Sequence, residues 1–153
     1  MKIIFLDMDG VLIIGHQVDI SYDWDAVRRL SELQTLTGAD IILSSDWRYN
    51  WTPEKLTKHI ESQTGFDLRI TGSTPTAPKR GSLFIAKSRG GEIQSILDVL
   101  NDNLYAYVII DDLDKGQFLE SQHINLVQTK FEEGFTSEKF AEAYKILTKG
   151  GQQ

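Results

Sequence analysis

The chain has 153 residues and a formal net charge of -6, with 41% hydrophobic and 25% charged residues, enough apolar side chain to bury a core. It contains no cysteine, which excludes a disulfide scaffold, a thiolate zinc site and a cysteine nucleophile. No apolar run reaches the roughly 18 residues of a membrane span, and Met1-Lys2 leads directly into a strand carrying acids instead of an export signal, so a cytoplasmic protein is expected.

In chain order, residues 2–7 form a short apolar run that reads as a buried strand. Residues 24–36 place Trp24, Val27, Leu30, Leu33 and Leu36 at helical spacing, with Arg28, Arg29 and Glu32 opposite. Residues 41–45 read as a second buried strand. Thr52-Pro53-Glu54 then starts a helix: an N-cap, a proline in the first turn and an acid beside the helix N-terminus. A weak strand is expected at 68–70, a long loop holding Pro75 and Pro78 at 71–88, and a helix at 92–100 with Ile93, Ile96, Leu97 and Leu100 on one face. Strands follow at 105–110 and 124–127. A last helix begins near Thr136 and turns Phe140, Ala143, Tyr144 and Leu147 inward. Strand and helix alternate, so the fold class is α/β, a three-layer Rossmann-like fold with a mainly parallel sheet covered on both faces. One domain over 1–149 and a frayed Gly-Gly-Gln-Gln tail over 150–153 are expected.

Chemistry in such folds gathers at the carboxyl ends of the strands. The first strand ends in Asp7-Met8-Asp9-Gly10, the second in Ser44-Ser45-Asp46-Trp47-Arg48 and the third strong one in Asp111-Asp112. Parallel pairing brings these ends to one edge, where crowded carboxylates repel and raise each other's pKa. A divalent cation relieves that repulsion, and an all-oxygen, carboxylate-rich set suits Mg²⁺. Asp7 and Asp9 are two residues apart and point to the same side of an extended chain, so one can attack while the other handles protons. Gly10 allows a sharp turn away from the site. Ser44 and Ser45 offer a hydroxyl and amides to a phosphoryl oxygen, and Lys87 and Arg89 precede a helix whose N-terminus also favours phosphate.

Asp-x-Asp-Gly-Val-Leu after an N-terminal strand, a strand ending in Ser, a later basic residue and a strand ending in Asp-Asp resemble motifs I to IV of the haloacid dehalogenase (HAD) superfamily, in order, over about residues 2–127. The resemblance implies a Mg²⁺-dependent phosphatase with Asp7 as the nucleophile that forms an aspartyl-phosphate and Asp9 as general acid/base, its backbone carbonyl also touching Mg²⁺. It implies Ser44 as the motif II hydroxyl, helped by the Ser45 amide, and Asp111 and Asp112 as motif IV acids, at least one of which holds the metal. Lys87 and Arg89 compete for the motif III position. Ser-Ser-Asp-Trp-Arg, Arg-Gly-x-Glu-Ile and Val-Ile-Ile-Asp-Asp-Leu-Asp also resemble a compact branch, some of whose members are appended to RNA-repair proteins.

Superfamily members often carry a cap domain, but the segments after motif I and between motifs II and III have room only for a short flap (13–20), a helix and a loop. An uncapped site accepts a phosphorylated small molecule, a nucleotide or a nucleic-acid end. Trp47, Arg48, Tyr49 and Trp51 lie just past motif II, where they either stack on a base or sugar or serve as packing. The acidic total weighs against nucleic acid, yet residues 68–91 contain five basic residues and no acid. Rival readings are a 3′-phosphatase acting on nucleic-acid ends, a phospho-accepting receiver, whose motif order fits poorly, and a catalytically silent binding module.

Overall fold

The computed structural model describes residues 1–75 and 88–149. Five strands, β1 (Lys2–Leu6), β2 (Asp40–Leu43), β3 (Ile70–Ser73), β4 (Ala106–Asp111) and β5 (Leu126–Gln128), form one sheet in the order β3-β2-β1-β4-β5, with every pairing parallel. Four helices accompany them: α1 (Trp24–Thr37), α2 (Pro53–Thr64), α3 (Arg89–Leu100) and α4 (Ser137–Lys149). The chain steps outward from β1 to β3, then returns through α3 to β4 on the other side of β1. The strand order therefore reverses between β1 and β4, the crevice where open α/β sheets bind ligands.

Side-chain alternation along the strands divides the core. Ile4, Leu6, Ile41, Leu43, Val108 and Ile110 face a cluster built with Val27, Leu30 and Leu33 of α1, Leu56 and Ile60 of α2, and Ala143 and Leu147 of α4. Ile3, Phe5 and Ile109 face the opposite side, where Ile93, Ile96, Leu97 and Leu100 of α3 pack with Phe118. Each fully buried Leu or Ile contributes about 1.5–3 kcal/mol. Helices thus cover both faces, and the described residues contain no cap domain.

Local chemistry sets the element ends. The Asp23 side chain accepts from Ala26 N to start α1, and Gly38 closes it at φ 68°. Thr52 caps α2 ahead of Pro53 as expected. Ser88 caps α3 through Gly91 N, so that helix begins at Arg89, three residues earlier than its apolar face indicated. The weak strand falls at Ile70–Ser73 and not at 68–70, taking over the start of the expected loop, while 76–87 and the tail 150–153 lie outside the described residues. β5 is shifted to Leu126–Gln128, because Ile124 belongs to a 3₁₀ segment (Glu120–Asn125) and is exposed.

Two aromatic expectations need correction. Trp24, in the first turn of α1, lies outside the stripe buried by Ala26, Val27, Leu30, Leu33, Gln34 and Thr37 and is exposed. Tyr144 is also exposed and stacks on Phe140 along the surface of α4 (centroids 6.3 Å apart). The buried Gln34 had no apolar signature. Its amide donates to Ala39 O (3.1 Å) and Arg69 O (3.0 Å) and its carbonyl accepts from Arg69 N (2.9 Å), tying α1 to the approach to β3.

Candidate active site

The strand ends are stitched together by backbone hydrogen bonds that continue the ladders one residue further. Asp7 N donates to Ile110 O (3.0 Å) and Ser44 N to Leu6 O (2.7 Å). Asp7, Ser44 and Asp111 are consequently neighbours at the switch point, and all three are buried. One carboxylate oxygen each from Asp7, Asp111 and Asp112 lies within 4.8 Å of the other two. Three hard oxygen donors gathered in this way are the donor type that suits a divalent cation of the Mg²⁺ kind. Asp9 is not one of the three. It is exposed, and its Oδ2 accepts from the Trp47 indole N–H at 3.1 Å.

The electrostatics are those of crowded, desolvated acids. Burial, then repulsion from Asp111, pushes the Asp7 carboxyl well above its ordinary value against the pull of Arg89. Burial pushes Asp111 up to about 6, again opposed by Arg89. Burial alone would lower the Arg89 pKa, but Asp111, Asp7 and Glu92 together raise it, so the guanidinium stays charged. Arg89 Nη1 lies 2.9 Å from Asp111 Oδ2 and 3.5 Å from Asp7 Oδ1, and it also donates to Ser44 O. The other motif III candidate, Lys87, lies outside the described residues.

Ser44 Oγ is buried and has no hydrogen-bond partner among the described residues, an orphaned hydroxyl of the kind a ligand oxygen satisfies. Ser45 is equally buried. Its hydroxyl caps the 3₁₀ turn Asp46–Tyr49 by accepting from Trp47 N (3.3 Å). Gly10 has φ 78°, and a Cβ there would lie 2.5 Å from Asp112 Oδ2, so the turn needs glycine both for its backbone and for its packing. Thr129 Oγ1 donates to Gly10 O (2.7 Å) from beyond β5, a support with no signal in the local sequence.

Two groups expected at the mouth behave differently. Trp47 stacks on Trp51 (centroids 6.1 Å, planes 22° apart), and Trp51 in turn lies against His59. Arg48 is turned inward with only 3% of its side chain exposed, because there its guanidinium meets Glu92 Oε1 at 2.8 Å and Ser45 O at 3.0 Å. It therefore does not join Trp47 on the open side. A cleft of about 350 Å³ runs beside Asp9 and Trp47 beneath the 13–20 segment, walled by Ile13, His16, Ile20 and Phe131. His16 meets Phe131 edge to face at 5.0 Å.

An all-parallel, doubly wound sheet whose switch point holds three converging acids and a buried arginine defines a Rossmann-like α/β domain with its site at the strand ends. The chain belongs to the HAD family: residues 3–140 match the family model described as the HAD domain in Swiss Army Knife RNA repair proteins. No curated protein and no solved structure matches it. No described helix is long and apolar enough to cross a membrane.

Proposed function

We propose that the protein is a Mg²⁺-dependent phosphomonoester hydrolase that works through an aspartyl-phosphate on Asp7. The observation that carries this reading is the convergence of the Asp7, Asp111 and Asp112 oxygens at the strand-order reversal, beside Arg89 and a Ser44 hydroxyl with no partner among the described residues.

Asp7, Asp111 and Asp112 would hold the Mg²⁺, with the Asp9 carbonyl as a further ligand; the ion would offset the charge of the acids and of the phosphoryl oxygens. A carboxylate oxygen of Asp7 attacks phosphorus as the bond to the leaving oxygen breaks. Asp9 gives that oxygen its proton. Asp9 then takes a proton from the water that attacks the aspartyl-phosphate, which releases phosphate and regenerates the Asp7 carboxylate. The Ser44 hydroxyl, the Ser45 amide and Arg89 bind phosphoryl oxygens. The cleft beside Asp9 and Trp47 is where the leaving group lies.

Phosphate release from a generic aryl phosphate should need Mg²⁺, and Asp7→Asn should reduce it to background. Activity that survived that substitution, or persisted in excess chelator, would overturn the mechanism.

A second reading, a phosphatase acting on nucleic-acid ends, is supported by the RNA-repair description of the family and by the aromatic wall of the cleft. Turnover of a 3′-phosphorylated oligonucleotide against that of a mononucleotide separates the two readings.

A further inference from the structure

The carbonyl oxygens of Ser44 and Ser45 are consecutive at the end of β2, and each receives a different arginine. Arg89, the first residue of α3, donates to Ser44 O; Arg48, from the 3₁₀ turn after β2, donates to Ser45 O at 3.0 Å. Glu92 closes the ring. It stands three residues after Arg89, on the same face of the helix, and pairs with Arg48 at 2.8 Å. The Arg48 and Glu92 side chains are 3% and 10% exposed, and the Tyr49 ring lies 5.0 Å from the Arg48 guanidinium. The other side of α3 is fixed as well. A Cβ on Gly90 would lie 2.7 Å from Leu119 N, and the buried Gln122 amide donates to Gly90 O at 2.9 Å.

A buried ion pair adds little stability over an apolar pair of the same size, since both charges lose their hydration. This pair is also imperfectly satisfied: Arg48 Nε and Glu92 Oε2 have no partner among the described residues. What the pair does supply is direction, because a guanidinium fork fixes two acceptors in one plane. We propose that Arg48 and Glu92 are positioning residues that set the rotation of α3 and so hold the Arg89 guanidinium between Asp7 and Asp111. The inference deepens the phosphatase reading and rests on it for the consequence to catalysis. Its structural claim concerns Arg89 alone.

The test replaces the pair together, Arg48→Met with Glu92→Met, so that no lone charge is left buried. The Arg89 side-chain ¹H–¹⁵N signal, assigned by its loss in Arg89→Lys, is sharp in the parent and broadens in the double variant. With an aryl phosphate, kcat/KM falls about 30–100-fold, the scale of a misplaced catalytic group. In an Arg89→Met background the same double change costs no more than about 2-fold, since the two act as one unit. An unchanged Arg89 signal in the double variant, or losses that multiply across the two backgrounds, would overturn the proposal. The spectrum needs no turnover, so a parent that hydrolysed nothing would defeat the phosphatase reading while the Arg89 signal still decided the positioning claim. Should the double variant not fold, Arg48→Lys, which keeps the charge but not the fork, is read in the same spectrum with the same criteria.

Discussion

Gly10 lies against the Asp112 carboxylate so closely that a single added methyl would sit 2.5 Å from Oδ2 and 2.8 Å from Cβ of that aspartate. The contact reaches the root of the Asp112 side chain, so a rotation of the carboxylate alone does not relieve it. Gly10→Ala should therefore displace one of the three converging acids and strain a backbone held at φ 78°. Mg²⁺ affinity, read by calorimetric titration, should fall by about 10-fold or more, the scale of roughly 1.4 kcal/mol. An unchanged affinity would show that Asp112 is not a ligand.

The raised acids give the metal-free protein an inverted pH dependence. In the window between the ordinary 3.8 and the value of about 6 for Asp111, the folded state binds more protons than the unfolded one. Stability attributable to this carboxyl is then highest at low pH, falls as pH rises through the window, and stays low above it. Between pH 5 and 7 the loss is on the order of 1 kcal/mol from Asp111, and Asp7, also raised, adds to it. In chelator, the urea midpoint should be higher at pH 5 than at pH 7. Millimolar Mg²⁺ should raise the pH 7 value and close the gap, since the ion binds the folded, deprotonated acids. A midpoint that climbed from pH 5 to 7 in chelator would contradict the account.

Ser44→Ala separates binding from stability. Its hydroxyl is buried without a partner among the described residues, so removing it should leave the melting temperature unchanged or slightly raised. The kcat/KM for a phosphate ester should nonetheless fall about 10–100-fold if the hydroxyl meets a phosphoryl oxygen, the equivalent of about 1.5–3 kcal/mol for a hydrogen bond to a charged group. Equal activity in the two proteins would remove Ser44 from the site.

Trp47 orients Asp9 through its indole N–H, at 3.1 Å. Trp47→Phe keeps the ring and deletes the donor. An alkyl phosphate, whose leaving oxygen needs a proton, should lose about 10-fold in kcat/KM, which reports transfer of the phosphoryl group to Asp7 and not the later hydrolysis. A nitrophenyl phosphate, whose leaving group departs as the anion, should change in kcat/KM by no more than about 2-fold. A loss of equal size on both esters would mean that Trp47 acts through packing.

The positions of Asp7, Ser44 and Asp111 were legible along the chain because each follows or ends an apolar run that only a buried strand explains. Parallel pairing then forces the ends of such strands together. The same local logic located Gly10 and the cap at Thr52. Family membership follows from the order of those motifs, and the match over residues 3–140 bears it out. Directions about an axis were a different matter. Whether Arg48 faces solvent or Glu92 and whether Trp24 enters the core depend on partners tens of residues away. Glu92 is 44 residues from Arg48, and Thr129 is 119 from the Gly10 carbonyl it holds. Hydrophobic periodicity reports how often a side chain returns to a face, which is enough to locate the acids and the edge on which they gather. Only the packed tertiary structure decided how the helices are rotated against that edge, because the buried ion pairs and hydrogen bonds that fix those rotations exist only once the distant segments meet.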